Sequence, residues 1–232
     1  MFQDSGRAIL GWGGGSAYTV FKNTLNKGLT GTFSTGFPYR TQKAVSELFD
    51  SKRKLFFFYS YENAVKTAVL FSASGTGFWR PWDFSSQNWK EIDCIVFVPP
   101  FSWGEQLYLL AVKPELVELA MISGKSDFES VSIPAALHAG ITRSVYDLVA
   151  ALKERKEKDW FCYDRIICKY WERKGPYLFP KIKEEFYRDF VLHCLDCNLL
   201  ISPFYNKPSI VPFGADLGVF AKLKSNPFEE KL

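Results

Sequence analysis

The stretch from Pro134 to about Lys158, PAALHAGITRSVYDLVAALKERKEK, constrains this chain more than any other. Leu137, Ile141, Val145, Leu148 and Leu152 recur at helical spacing, so one face of a long helix must be buried against other elements. Upstream of it lie candidate strands. Leu55 to Tyr59, Ile92 to Val98 and Leu107 to Val112 are short, continuous apolar runs, the pattern of strands covered on both faces. Pro99 and Pro100 stop the second of them. A helical stretch separates the first two runs and others follow the third, and this mixture of strands and helices predicts an α/β fold.

The remaining punctuation is read in the same way. Ser16 is placed to cap a helix that runs to about Lys27 and ends at Gly28. Thr41 to Ser51 reads as a short helix, and Asn63 to Phe71 as a helix with Ala64, Ala68 and Phe71 on one face. Pro114 opens another. Beyond the long helix the sequence predicts a small α/β unit. Its elements are a helix over Trp160 to Glu172, a strand at Tyr177 to Phe179, a helix over Glu184 to Cys197, a strand at Leu199 to Ile201 and a last helix from Asp216. Thr76 to Lys90 keeps no regular period. No internal repeat is visible.

Composition narrows the function classes. Hydrophobic residues make up 47% and charged residues 23% of the 232, enough for a core without disulfide or metal staples. Aromatics reach 17%, an excess that predicts either a ring-filled core or an apolar partner surface. The net charge of +4 is spread out, and the densest run, Lys153 to Lys158, mixes signs as a solvated helix end does. No nucleic-acid patch is expected. No run approaches the ~20 apolar residues of a membrane helix, and MFQDSGRAIL lacks the marks of a signal peptide. With five cysteines, that predicts a cytoplasmic chain with free thiols. Cys194 and Cys197 beside His193 form a CxxC, but His138 is the one other histidine, short of a four-ligand zinc set. The Gly11 to Ser16 run lacks the lysine and preceding strand of a phosphate loop.

Three stretches carry a family resemblance by their shared order. Ile9-Leu10-Gly11, then a helix and Gly28, is the first. Leu55 to Gly77, LFFFYSYENAVKTAVLFSASGTG, is the second, and Gly175 to Pro180 followed by YRDFVLHCLDCNLLISP is the third. In this order they resemble the class III aminotransferases and glutamate-1-semialdehyde aminomutase, which have pyridoxal-phosphate fold type I. The resemblance implies an abbreviated architecture of that type, a reduced central sheet with flanking helices plus a small C-terminal α/β domain. It implies boundaries at 1–132 for the N-terminal segment and reduced large domain, 133–158 for the connecting helix, and 159–232 for the small domain.

The departures from the family pattern bear on function. The family's phosphate turn reads Ser-Gly-Thr-Glu-Ala, whereas this chain reads Ser60-Tyr61-Glu62-Asn63-Ala64. Ser60 and Thr76 are what remains of the cofactor-binding positions. Tyr61 puts a ring where backbone must approach phosphate, and Glu62 adds a negative charge beside a dianion. Aligned through Asp93, Gly104 and Pro114-Glu115, the Schiff-base lysine falls on Pro99, which has no amine. About fifteen residues stand where the family has its central strands. The family threonine that reaches a neighbouring subunit's phosphate aligns near Glu129.

The expectation is therefore a non-catalytic aminotransferase-like protein that binds no cofactor. It would act as a homodimer, or as a heteromer with an intact aminotransferase-like paralogue. Its surfaces would be the Gly11 to Lys27 helix and Ser132 to Ile141. The alternative is an active pyridoxal-phosphate aminotransferase or aminomutase with a displaced lysine, Lys113 or Lys90, or an unrelated site built from His138, Glu105 or Asp93. A further expectation is that Phe78 to Trp89 covers strand edges left bare by the missing strands, with at least two of Trp79, Trp82 and Trp89 buried.

Overall fold

The computed structural model describes residues 7–11, 15–29, 35–83, 87–124 and 130–230. The chain divides into two compact units. One comprises Gly13–Pro81 and Ser85–Ala150; the other comprises Met1–Trp12, Trp82–Phe84 and Ala151–Leu232.

The first unit is built on a four-stranded sheet. Its strands are β1 (Lys54–Phe58), β2 (Thr76–Phe78), β3 (Cys94–Phe97) and β4 (Tyr108–Val112), in the order β1-β4-β3-β2. β4 runs antiparallel to both neighbours and β2 parallel to β3, so β1, β2 and β3 point the same way. Strand alternation sorts the side chains between two faces. Phe58, Cys94, Val96, Leu110 and Val112 pack with Ala64 and Ala68 of α3 (Tyr61–Phe71) and Val117 of α4 (Pro114–Ile122). On the other face Phe97 meets Phe49, just after α2 (Phe37–Leu48), edge-on at 5.4 Å. There Phe57 meets His138 of α5 (Ala135–Glu154) at 5.1 Å. The sheet is thus a middle layer between two helical layers, and Leu137, Ile141, Val145 and Leu148 of α5 are all buried.

Local chemistry explains most element boundaries, and several depart from the sequence reading. α1 (Gly15–Asn26) does not use Ser16 as its cap. The Ser16 hydroxyl donates to Asp147 and accepts from Arg143, both on α5. Gly28 closes the helix as expected, with φ +69°. α2 starts at Phe37, a turn before Thr41, because Pro38 suits a first turn. β1 lies at the sheet edge and is not a strand buried along its whole length. Only Phe57 and Phe58 of it are buried, and its free side takes Ser130 and Val131, through Phe57 N–H to Ser130 Oγ and Val131 N–H to Phe57 C=O. Thr76–Phe78, expected to be irregular, is the strand that borders β3.

The loop after β2 buries Trp79 and Trp82 at 8% and 5% exposure. Trp79 packs on Phe49 and Phe97. Trp89 lies over Gly77, where a Cβ would meet its ring at 2.8 Å. The outer edge of β3 is paired by β2 itself, so Trp79 covers a face of the sheet and not a bare edge.

The second unit holds a three-stranded sheet of β5 (Trp171–Lys174), β6 (Tyr177–Pro180) and β7 (Ser209–Ile210). Trp160 to Glu172 is not one helix. A 3-10 turn (Glu157–Trp160) and α6 (Phe161–Ile167) precede β5, which turns back through Gly175 at φ +55° to pair with β6. Arg173, nearly buried on β5, ties these pieces together. Its guanidinium donates to both oxygens of Asp164, at 2.5 and 3.0 Å, and to Glu157 at 2.6 Å. These bonds raise its pKa further. Leu199 to Ile201 is not a strand either. The Leu199 N–H closes the end of α7 (Glu184–Asp196) on the Cys194 carbonyl, with Asn198 left-handed at φ +64°. Asp216 caps a 3-10 turn (Leu217–Phe220) that leads into α8 (Ala221–Ser225). Much of the aromatic surplus is internal. Trp171, Phe190, Tyr170 and Phe228 pack together, and Trp82 stacks with Phe213 and meets Trp160 edge-on.

Candidate functional site

Ligands of open α/β sheets gather at the carboxyl ends of the parallel strands, and here those ends are Phe58, Phe78 and Phe97. The same end holds the N-terminus of α3, where unpaired N–H groups and the helix dipole favour an anion. The chain's own groups fill that place. Ser60 caps α3 by accepting from the Asn63 N–H at 3.4 Å, and Glu62 occupies the first turn. The Tyr61 ring meets Phe78 edge-on at 5.4 Å and Tyr108 at 5.7 Å. The Arg80 guanidinium lies 4.7 Å over the Phe78 ring. Two residues past β3, Pro99 is buried and its carbonyl accepts from the Phe101 N–H at 2.8 Å. Tyr61, Phe78, Tyr108 and Arg80 thus form a contiguous group from three elements and a following loop. Sequence reading singled out Tyr61 but missed its ring partners, which lie on β2 and β4.

Ser60 and Thr76 are not brought together. Thr76 begins β2 at the amino end of the parallel strands, paired with Cys94 in register, and its hydroxyl donates to the Ser72 carbonyl at 2.8 Å. The lysines considered in place of Pro99 also avoid the carboxyl end. Lys113 follows β4 at the amino end of β3, and its Nζ donates to Asp93 at 3.0 Å and to the Glu91 carbonyl at 2.8 Å. Asp93 also accepts from the Ser72 hydroxyl at 2.9 Å. The hydrogen bond from Lys113 holds the Asp93 carboxyl below its usual range, and Ser72 and the charge of Arg53 add to this against partial burial. Lys90 pairs with Asp50 at the surface, 2.7 Å away.

His138 is buried on α5. Its Nδ1 lies 2.9 Å from the Thr41 hydroxyl, which lies 2.9 Å from the Thr142 hydroxyl. Burial lowers its pKa to about 4, so it is a neutral hydrogen-bonding group at pH 7. Glu105 is exposed on the loop before β4, and Asp93 sits at the other end of the sheet from it. The structure therefore does not assemble His138, Glu105 and Asp93 into one site. Glu129 lies outside the described residues, as do Gly13 and Gly14 of the glycine run.

Among the described residues no three His, Cys, Asp or Glu side chains are grouped to hold a metal ion. Cys194 and Cys197 are buried free thiols, and burial pushes the Cys194 thiol far up. His193 Nε2 bonds to the Asn226 carbonyl at 2.8 Å. No helix among the described residues is long and apolar enough to cross a membrane.

Known proteins match this arrangement in fold. No family model matches the chain. An uncharacterized protein of Treponema pallidum is 23% identical, over 91% of this chain and 82% of its own length. Among solved structures, a serine palmitoyltransferase variant from S. paucimobilis carrying a PLP-myriocin aldimine superposes with a TM-score of 0.66 at 10% identity. It covers 97% of this chain and 87% of that one. An acetylornithine aminotransferase from Elizabethkingia anophelis gives 0.64 at 10% identity, over 95% and 86% of the two chains. A phosphoserine aminotransferase from Cytophaga hutchinsonii gives 0.60 at 9% identity, over 92% and 96%. The chain has a mixed α/β fold with a small central sheet and flanking helices, a shortened form of the fold-type I pyridoxal-phosphate architecture.

Proposed function

We propose that this chain is a non-catalytic, aminotransferase-like protein that acts as a partner or structural subunit. The observation that carries the reading is the filled carboxyl end of the sheet. Tyr61, the first residue of α3, packs on Phe78 and Tyr108, while the position aligned with the Schiff-base lysine is Pro99. These residues do not fit pyridoxal phosphate. A phosphate dianion at this helix end would face Glu62 and displace the Tyr61 ring, and Pro99 offers no amine to the aldehyde.

In this reading the chain forms a dimer with itself or with an intact paralogue. Tyr18 and Leu25 of α1 and Leu29 just after it are exposed apolar groups that suit such a surface. The second expected surface does not suit it, because Ala136 to Ile141 are buried within the protomer itself. Helix α1 is therefore the proposed interface.

The test is absorbance after incubation with pyridoxal phosphate, followed by borohydride reduction and peptide mass spectrometry. The expected result is no visible band and no site-selective phosphopyridoxyl-lysine. A stoichiometric adduct on Lys113 or Lys90 would overturn the proposal and favour an enzyme with a displaced lysine.

A further inference from the structure

The second unit carries a groove of about 560 Å³, within the roughly 300–1,000 Å³ of small-molecule sites. One wall is the face of α7 formed by Glu184, Tyr187, Arg188, Val191 and Leu192; the other is the turn Pro203 to Lys207. Residues at positions i, i+3, i+4, i+7 and i+8 share one helix face, so this wall follows directly from the sequence of α7.

The groove has an apolar floor and a charged rim. Tyr187 and Tyr205 meet edge-on at 5.3 Å. The Tyr187 hydroxyl is spent on the Ser202 carbonyl at 2.7 Å, and its burial moves the phenol up to about 12. Tyr187 therefore offers carbon and not a proton. Leu192 and Phe204 leave more than half of their surface in water, at 52% and 58%. On the rim, Arg188 and Lys207 outnumber Glu184, the one lining acid. Among the described residues neither cation makes an ion pair; Lys207 instead rests 4.9 Å over the Phe204 ring.

From this combination we propose that the groove binds a small monocarboxylate with an aromatic or branched apolar tail. The tail would cover Leu192, Val191 and the Phe204 and Tyr205 rings, and the carboxylate would take the Arg188 fork with Lys207 beside it. An arginine fork matches a planar carboxylate in two parallel hydrogen bonds. A single excess positive charge balances a monoanion but leaves a phosphate dianion half neutralised. The proposal does not depend on the reading of the sheet's carboxyl end.

The experiment is calorimetric titration of the full chain with 6-phenylhexanoate and, separately, with 6-phenylhexylamine. The carboxylate binds at millimolar concentration or below, and the amine at least about tenfold more weakly. The R188E/K207E variant loses about tenfold in carboxylate affinity without weakening the amine, and L192A/F204A weakens both. All four side chains are largely or partly exposed, so the variants keep the wild-type circular dichroism spectrum. Three results overturn the proposal: equal affinity for amine and acid, no binding of the acid up to about 10 mM, or unchanged acid affinity in R188E/K207E.

Discussion

The ring of Tyr61 meets the ring of Phe78 edge-on, with centroids 5.4 Å apart, although the two belong to a helix and a strand seventeen residues apart. The pair lies at the carboxyl end of the sheet, beside the N-terminus of α3. Edge-to-face aromatic pairs contribute about 0.5–1.5 kcal/mol beyond burial. A double-mutant cycle with Y61L and F78L, read from urea denaturation, should return a coupling in that range. A coupling of zero would mean that the rings do not fill this end in solution.

Self-association through α1 has a direct readout. Tyr18 and Leu25 lie on α1 at 54% and 43% exposure. If they meet a second copy, light scattering at micromolar concentration gives twice the chain mass for the wild type and a monomer for Y18E/L25E. A wild type that is monomeric with and without co-expressed aminotransferases removes the partner reading.

Arg53 is fully buried, and its guanidinium donates to four backbone carbonyls. Nη1 reaches Ile92 at 2.6 Å and Asp93 at 3.1 Å; Nη2 reaches Trp89 at 3.1 Å and Lys90 at 3.0 Å. Burial draws its pKa down against the charges of neighbouring groups. Removing it takes the donor from four part-buried carbonyls, each loss costing about 1 kcal/mol. R53M should lower stability by about 3–5 kcal/mol. R53K should recover only part of this, because one ammonium cannot span the four oxygens. A loss below about 1 kcal/mol in R53M would show that the turn 89–93 finds other donors.

His138 makes stability depend on pH with a defined sign. Burial lowers its pKa to about 4 in the folded chain, against about 6.5 unfolded. Between these values the unfolded chain binds more protons, so stability falls as pH drops from about 6.5 to 4 and the contribution is fully present above it. The 2.5-unit gap amounts to roughly 3 kcal/mol. Carboxylates titrate over part of the same window, so H138Q is the control. Its stability should fall less steeply between pH 6.5 and 4.5 than that of the wild type. Parallel curves for the two proteins would contradict the buried, neutral histidine.

Local pattern made most elements legible before the fold was known. The spacing Leu137-Ile141-Val145-Leu148 specifies a buried helix face, and α5 buries those residues. Pro114 and Gly28 mark a start and an end for reasons confined to their own backbone torsions. The same locality misled where partners decide. Trp171 to Lys174 suits a helix as well as a strand, and became β5 because it pairs with β6 across Gly175. Leu199 lost its strand because its N–H was claimed by the end of α7.

The sequence by itself determined the chemistry available at the candidate site: a proline at position 99, and a tyrosine and a glutamate at 61 and 62. No fold could turn these into an amine or an open phosphate turn. What only the tertiary structure decided is which distant groups meet. Thr41 and His138 are 97 residues apart, and Arg53 and the Ile92 carbonyl 39. Tyr61 finds Phe78 and Tyr108 because β2 and β4 border the same sheet end. A side-chain period records which face is buried but not what buries it, because hydrophobic burial is proportional to area and indifferent to the partner's identity. The choice among partners comes from strand register and close packing, which exist only once the whole chain is in place.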